Sequence, residues 1–207
     1  MYKIKNYLKI QLIKFTKQTN DGRINSSIDE YNIIQLLIKQ FGNKIKTTKI
    51  RMWFDILVFD YIYGWLPVNI KISTMLDHDN IGNLPTYVYA YTDVILDIHR
   101  NKSYNNGEMS NILFNKLKDN KYNINSKKDY YFIVLNKNNN TDIIINSLKG
   151  LSILTPNLNN LPFQVKWSIN RLFKYEPINK KIKLFINCLQ KPNPGWIEIF
   201  MSNIRTL

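Results

Sequence analysis

WFDILVFDYIYGWLPVNIKIS, residues 53–73, is the stretch that organises this chain. It contains two extended apolar segments separated by Gly64, and three polar residues, Asp55, Asn69 and Lys71, interrupt them. Side chains alternate between the two faces of a strand, so Asn69 and Lys71 share one face. A carboxylate, an amide and an ammonium group on one face are typical of a site for a metal ion and a phosphate.

The other face of the second segment carries Val68, Ile70 and Ile72, as expected for a strand that packs on a core. An antiparallel hairpin that turns near Tyr63 and Gly64 would place Asp55 opposite residue 71 or 72, about 5 Å away. A slip of one residue would turn Asp55 to the wrong face, so the register decides whether the site exists.

The composition predicts one domain with a basic surface. A chain of 207 residues can bury one sizeable core, and no Gly/Ser/Pro-rich linker divides it, so we expect a single domain over 1–207. The formal charge of +14 favours a polyanionic partner. A chain rich in Asn, Ile, Lys and Tyr with one alanine suggests AT-rich codons, which account for part of the lysine excess but not for the shortage of acidic residues.

Cys188 is the sole cysteine, which excludes an internal disulfide and a cysteine-based zinc site. A reducing compartment fits this, and we expect the cytoplasm. Lysines interrupt the basic N-terminal segment too often for a signal-peptide core, and charged residues break the longest apolar region well short of a membrane span.

Apolar periodicity and turn residues predict helices, strands and polar loops in mixed order. A capping box of Ser27 and Glu30 indicates a helix that ends before Gly42. The predicted helices are 27–41 and 107–119; the predicted strands are 51–62, 66–73, 86–91, 129–136 and 141–148, with alternating segments near 180–189 and 196–201. This order predicts an α/β (α+β) fold with a mixed central sheet flanked by helices.

The acidic residue in WFDI, followed by PVNIK and preceded by a helix with Glu30, resembles the core of PD-(D/E)XK nucleases. Together with the later NNLPFQVKW, these motifs are similar to small type II restriction endonucleases. The core motif covers about 27–91, and we expect DNA-recognition elements at about 150–207.

The resemblance implies Mg²⁺-dependent hydrolysis of phosphodiester bonds in double-stranded DNA, within a restriction-endonuclease-like core. It implies that Asp55 is a metal ligand, that Lys71 orients or activates the attacking water, and that Ile70 lends its backbone carbonyl to the metal. A glutamate on a helix often completes the site in such nucleases, and Glu30 corresponds to it by resemblance. The same glutamate is also the natural capping partner of Ser27.

Asn69 departs from the pattern, because the resemblance leads us to expect Asp or Glu there. An amide oxygen can ligate Mg²⁺ but brings no charge, so the site would hold the metal more weakly unless Glu30 or Asp60 compensates. The alternative is a catalytically inactive, basic nucleic-acid-binding protein, such as an organellar ribosomal protein from an AT-rich genome.

Residues suited to DNA contact lie in two segments. Amide side chains can bond adenine, and arginine or lysine can bond guanine or phosphate. The candidates are Gln164, Lys166, Asn170 and Arg171 in the later segment, and Asn80 and Asn83 in the loop after the lysine strand. PFQVKW also fits an ordinary strand with Phe163, Val165 and Trp167 inside.

Other polar residues favour plainer interpretations. The loop Asp77-His78-Asp79-Asn80 is more typical of a polar turn than of a metal cluster, and Cys188 is expected in the core. The resemblance implies a homodimer, since two-fold symmetry matches cleavage of both strands at a palindromic site. It also implies a companion DNA methyltransferase that protects the host genome.

Overall fold

The computed structural model describes residues 1–17, 19–49, 52–81, 84–99, 103–119, 121, 128–156 and 163–189. The helices are α1 (Tyr2–Ile10), α2 (Gly22–Phe41), α3 (Leu84–Tyr91), α4 (Asn106–Lys118) and α5 (Ile178–Leu189). The strands are β1 (Ile45–Thr47), β2 (Ile56–Asp60), β3 (Gly64–Ser73), β4 (His78–Asn80), β5 (Tyr131–Asn136), β6 (Asn139–Ser147), β7 (Thr155–Pro156) and β8 (Phe163–Lys166).

A five-stranded sheet of order β1-β2-β3-β5-β6 forms the centre, and a three-stranded sheet of order β4-β8-β7 lies beside it. In the central sheet β3 and β5 are parallel, and all other neighbours are antiparallel. The parallel pair requires a long crossover, and β4, α3 and α4 lie within it. The expected α+β class with a mixed sheet is confirmed.

Apolar side chains cover both faces of the central sheet. On one face Ile33 and Leu37 of α2 pack with Val68 and Ile70 of β3. On the other face the core includes residues of α3, α4, α5 and β8, with Trp167 fully buried. Two-sided burial explains why β5 reads as an almost continuous apolar run.

The hairpin of residues 53–73 forms, with a register different from the expected one. Asp60 pairs with Gly64 and Ile56 with Val68, and the Asp55 N–H bonds the Val68 carbonyl, so Asp55 lies beside Val68 and Ile70 rather than opposite 71 or 72. Gly64 has φ +74°, a conformation that costs glycine little. The register differs from the 71 alternative by two residues, so Asp55 stays on the face of Asn69 and Lys71.

Two segments with strand-like patterns are helices. Residues 84–91 form α3, not a strand at 86–91, and all eight of its residues are buried. A helix enclosed on every side needs no polar face, so its Thr, Val and Tyr content misleads a propensity argument. Residues 178–189 form α5, where the alternating segment near 180–189 was expected to be extended. The predicted segment 196–201 lies outside the described residues.

The start of α2 also differs from the prediction. The helix begins at Gly22, so Ser27 lies in its interior and cannot cap it. The capping-box interpretation of Ser27 and Glu30 is therefore wrong, and Glu30 has no capping role to compete with a role in a site. Helix α1 was not anticipated; it buries Ile4 and Leu8 against the sheet.

Candidate active site at the end of the hairpin

The candidate site begins where β3 runs beyond β2. The last hydrogen bond across the hairpin is Asp55 N–H to the Val68 carbonyl, at 3.0 Å. Beyond it, residues 69–73 of β3 pair with β5 on one side and have no partner in β2 on the other. This open edge leaves backbone groups available to side chains or to a ligand.

The Asp55 carboxylate occupies this edge. Its Oδ2 accepts a hydrogen bond from the Ile70 backbone N–H at 2.7 Å. The N–H and carbonyl of one strand residue point to the same side, so the Ile70 carbonyl is directed to this edge as well. Burial raises the pKa of Asp55, while Lys71 and the Ile70 N–H lower it in part.

Asn69, like Asp55, lies near Tyr130. Its Oδ1 is buried and has no hydrogen-bond partner among the described residues. The Asn69 amide lies near the Tyr130 hydroxyl, which donates to the Trp53 carbonyl at 2.9 Å. A buried acceptor without a donor costs free energy, which a cation or a water molecule at this position would recover.

Glu30 reaches the same region from α2, which packs against β3. Burial raises the pKa of Glu30 to about 7, and the nearby charges that modify it are Lys71, which lowers it, and Asp55 and Asp29, which raise it. The next residue along, Asp29, has a structural role, since it is buried and accepts hydrogen bonds from Thr16. The structure thus brings Glu30, Asp55, Asn69 and Lys71 together.

Asp79 is a further member of the cluster, although its loop was interpreted as a polar turn. Burial raises the pKa of Asp79, whereas the Ser73 hydroxyl and the Lys71 charge lower it. Its Oδ2 and the Trp167 indole nitrogen are near each other and buried, and neither has a hydrogen-bond partner of normal geometry in the described part of the chain. The sequence offered no signal for this contact, because Asp79 enters through the pairing of β4 with β8.

Lys71 therefore lies near three carboxylates but forms no ion pair with them among the described residues. Its positive charge lowers the pKa of each of these carboxyl groups, which are Glu30, Asp55 and Asp79. Yet none of the ion pairs shorter than 4.0 Å in the described ranges includes Lys71. Lys71 thus influences the charge state of three carboxylates without a direct ion pair to any of them.

The small sheet brings together three of the residues predicted to contact DNA. Asn80 pairs with Gln164 across β4 and β8, and the Gln164 side-chain amide donates to Asn80 Oδ1 at 3.0 Å. Lys166 lies opposite His78 in the same pair of strands. Phe163, Val165 and Trp167 are buried, so both the strand interpretation and the outward placement of Gln164 and Lys166 hold.

Asn170 is a correction to the predicted DNA-binding set. It is 1% exposed, and its Oδ1 accepts from the backbone N–H groups of Ser152 and Ile153. Its Nδ2 donates to the carbonyls of Ile153 and Lys166. With both ends of its amide used inside the protein, Asn170 has a structural role.

The remaining predicted residues have separate positions. Arg171 is exposed and forms an ion pair with Asp142. Asn83 lies outside the described residues. His99 is exposed, and Cys188 is buried in the core as expected. Asp60 caps the hairpin turn through the Ile62 and Tyr63 N–H groups, so it does not replace the missing carboxylate at position 69.

The site lies at a strand edge, where residues 69–73 of β3 have no partner in β2. Cavities of about 290 and 480 Å³ lie near the turn of the hairpin, and neither is lined by Asp55, Asn69 or Lys71. No helix in the described part of the chain is long and apolar enough to span a membrane. Comparisons with protein-family models, with curated proteins and with solved structures gave no match.

Proposed function

We propose that this chain is a Mg²⁺-dependent nuclease that cuts double-stranded DNA at a short specific site, as type II restriction endonucleases do. The observation that carries the proposal is the position of Lys71 among Glu30, Asp55 and Asp79, with no carboxylate within 4.0 Å among the described ion pairs. The motif resemblance supports it independently of the structure.

The donor set fits Mg²⁺ if it includes neutral oxygens. Within the described ranges, no group of three or more His, Cys, Asp or Glu side chains is placed to hold a metal ion. Asp55, the unsatisfied Asn69 Oδ1 and the Ile70 carbonyl are all hard oxygen donors, which Mg²⁺ prefers. These three residues would hold the ion, with water completing its shell.

The residues of the chain then divide the work of hydrolysis. Bound Mg²⁺ would supply a water of lowered pKa and neutralise charge on the phosphate. Lys71 places an ammonium group where negative charge develops on the phosphate. Glu30, whose pKa of about 7 is raised by burial, can accept a proton near neutral pH. Asp55 is held at the edge by the Ile70 N–H.

Substrate recognition would use the small sheet. Asn80, Gln164 and Lys166 lie on β4 and β8, and Asp79 on the same strand β4 senses Lys71, so the small sheet adjoins the proposed catalytic edge. The net charge of +14 favours approach to DNA. We further propose a homodimer that acts in the cytoplasm beside a companion DNA methyltransferase.

The direct test is to incubate the purified protein with several unmethylated phage DNAs and Mg²⁺. Discrete fragments are expected, and Lys71→Ala should abolish cleavage while DNA binding remains within about twofold. The matched control is Lys183→Ala, which removes the same charge from an exposed position on α5. An absence of fragments on all DNAs would contradict the proposal.

The second candidate is a non-catalytic, basic nucleic-acid-binding protein. Asn69 favours it, since the position that would carry the second carboxylate is neutral. In this case the wild-type protein binds DNA with no Mg²⁺-dependent cleavage, and Lys71→Ala and Lys183→Ala weaken binding equally.

A further inference from the structure

A row of aromatic rings lies at the β1 end of the central sheet, near the hairpin turn and away from Lys71. Phe59 lies edge-on to Tyr61 and to Trp65, with ring centroids 5.6 and 5.3 Å apart. Trp65 continues the row to His99 at 6.2 Å. We call these four residues the ring row.

Two lysines from the neighbouring edge of the sheet lie over this row. Lys44 Nζ is 4.9 Å from the centroid of Tyr61, and Lys46 Nζ is 4.2 Å from the centroid of Trp65. The Lys44 side chain, through a hydrogen bond and through its charge, and the charge of Lys3 lower the pKa of Tyr61. Positive charge therefore accompanies the rings along the row.

The ring row is accessible to a ligand. Tyr61 is 77% exposed, His99 is exposed, and Trp65 is partly buried. A groove of about 290 Å³ beside it is lined by Lys3, Lys44 and Tyr61, among others. Asp60, the acidic residue in that lining, is engaged by the N–H groups of the hairpin turn.

Lysines over aromatic rings can serve the fold alone, since such pairs recur on protein surfaces. The hairpin turn is already capped by Asp60. Four rings and two lysines are therefore more than the turn needs for its stability. Successive rings combined with cations are the combination that binds unpaired bases and their phosphates. Paired bases in a duplex do not offer their faces for stacking.

We propose that the ring row binds a single-stranded segment of nucleic acid. Bases stack on Tyr61 and Trp65 as the ammonium groups of Lys44 and Lys46 leave the ring faces to contact the phosphates between the bases. The site is separate from the Lys71 cluster, so the inference stands whether or not the chain cleaves DNA.

Trp65 provides a direct optical test. Among the tryptophans in the described ranges it is partly exposed, whereas Trp53 and Trp167 are buried. Titration with a thymidine oligonucleotide of about a dozen nucleotides should quench tryptophan fluorescence as bases stack. A duplex of the same length should give at least about tenfold weaker quenching, because its bases are already stacked.

Two double variants distinguish binding at the ring row from general attraction between a basic protein and nucleic acid. Lys44→Ala with Lys46→Ala should weaken oligonucleotide binding by about tenfold or more, whereas Lys180→Ala with Lys183→Ala should weaken it by about twofold. The second pair removes the same charge from exposed positions on α5. Equal weakening by both pairs, or equal binding of duplex and single strand without quenching, would overturn the proposal.

A single substitution at an exposed ring guards against misfolding of the double variant. Tyr61→Ala removes a 77% exposed side chain and should weaken oligonucleotide binding by about fivefold or more. Tyr175→Ala is the matched control, since Tyr175 is 81% exposed outside the ring row. Circular dichroism should show folded protein in both, and an unchanged affinity in Tyr61→Ala would refute the stacking role.

Discussion

Asp55 and Ile70 are joined by a hydrogen bond of 2.7 Å from the Ile70 backbone N–H to Asp55 Oδ2, across the point where the hairpin strands separate. The bond turns a carboxylate toward a strand edge that β2 has ceased to cover. It also explains why Asp55 can remain near Asn69 and Lys71 in a partly buried position, because a backbone donor offsets part of the cost of burying its charge.

Glu30→Gln should change the pH dependence of stability. Burial raises the pKa of Glu30 from 4.5 to about 7, so the folded state holds a proton that the unfolded state has released. Its contribution is present below pH 4.5 and is lost as pH rises toward 7, by at most about 3 kcal/mol. Urea unfolding at pH 4 and pH 8 should show this loss in wild type and a smaller one in Glu30→Gln.

The exposed Glu108→Gln on α4 is the control for that measurement. It removes the same charge without removing a buried carboxyl group. If Glu30→Gln has the same dependence of unfolding free energy on pH as wild type, the pKa of Glu30 is not raised in the folded state.

Asn69→Asp should lower the stability of the metal-free protein and raise its affinity for Mg²⁺. A second carboxylate close to Asp55 adds like-charge repulsion, so the melting temperature in EDTA should fall relative to wild type. The same charge should tighten Mg²⁺ binding by about tenfold, measured by calorimetry, because a carboxylate is a stronger ligand than an amide. Asn187→Asp at an exposed position of α5 should change neither property.

Asp79→Asn should slow DNA cleavage by about tenfold without lowering stability. Asp79 is one of the carboxylates around Lys71, and its loss lets the ammonium group move toward Glu30 and Asp55. A tenfold change corresponds to about 1.4 kcal/mol in the barrier. Asp77→Asn is the neighbouring control, because Asp77 is exposed and accepts from Thr74; similar rates in both variants would place Asp79 outside the site.

Asn170→Ala should destabilise the fold rather than weaken DNA binding. It removes acceptor and donor groups from four backbone partners in the interior, which costs roughly 2–4 kcal/mol in the free energy of unfolding. Arg171→Ala, which breaks an exposed ion pair, should cost less than about 1 kcal/mol. Urea denaturation measures both, and a selective loss of DNA affinity in folded Asn170→Ala would contradict the structural role.

Local patterns predicted the hairpin well because alternation is a property of consecutive residues. Val68 and Ile70 face one core, and Asn69 and Lys71 lie on the other face, as expected. The register differed from the 71 alternative by two residues and from the 72 alternative by three, since it depends on which residues form the turn. The polar set survived the error because a shift of two preserves the face.

Patterns misled where tertiary burial overrides local preference. Residues 84–91 have the composition of a strand, yet α3 is enclosed on all sides, and enclosure favours a uniformly apolar helix. The capping box at Ser27 was a chance spacing inside a longer helix. Neither difference could be found without knowing what packs against the segment.

The sequence by itself determined the chemistry available to this protein: a carboxylate directly before one strand, an amide and a lysine two residues apart on the next, and a basic net charge. Only the tertiary structure decided which distant groups join them. Glu30 arrives because α2 packs on β3, and Asp79 arrives because β4 pairs with β8. Spacing along a strand fixes faces, whereas contacts between elements depend on packing that no short stretch encodes.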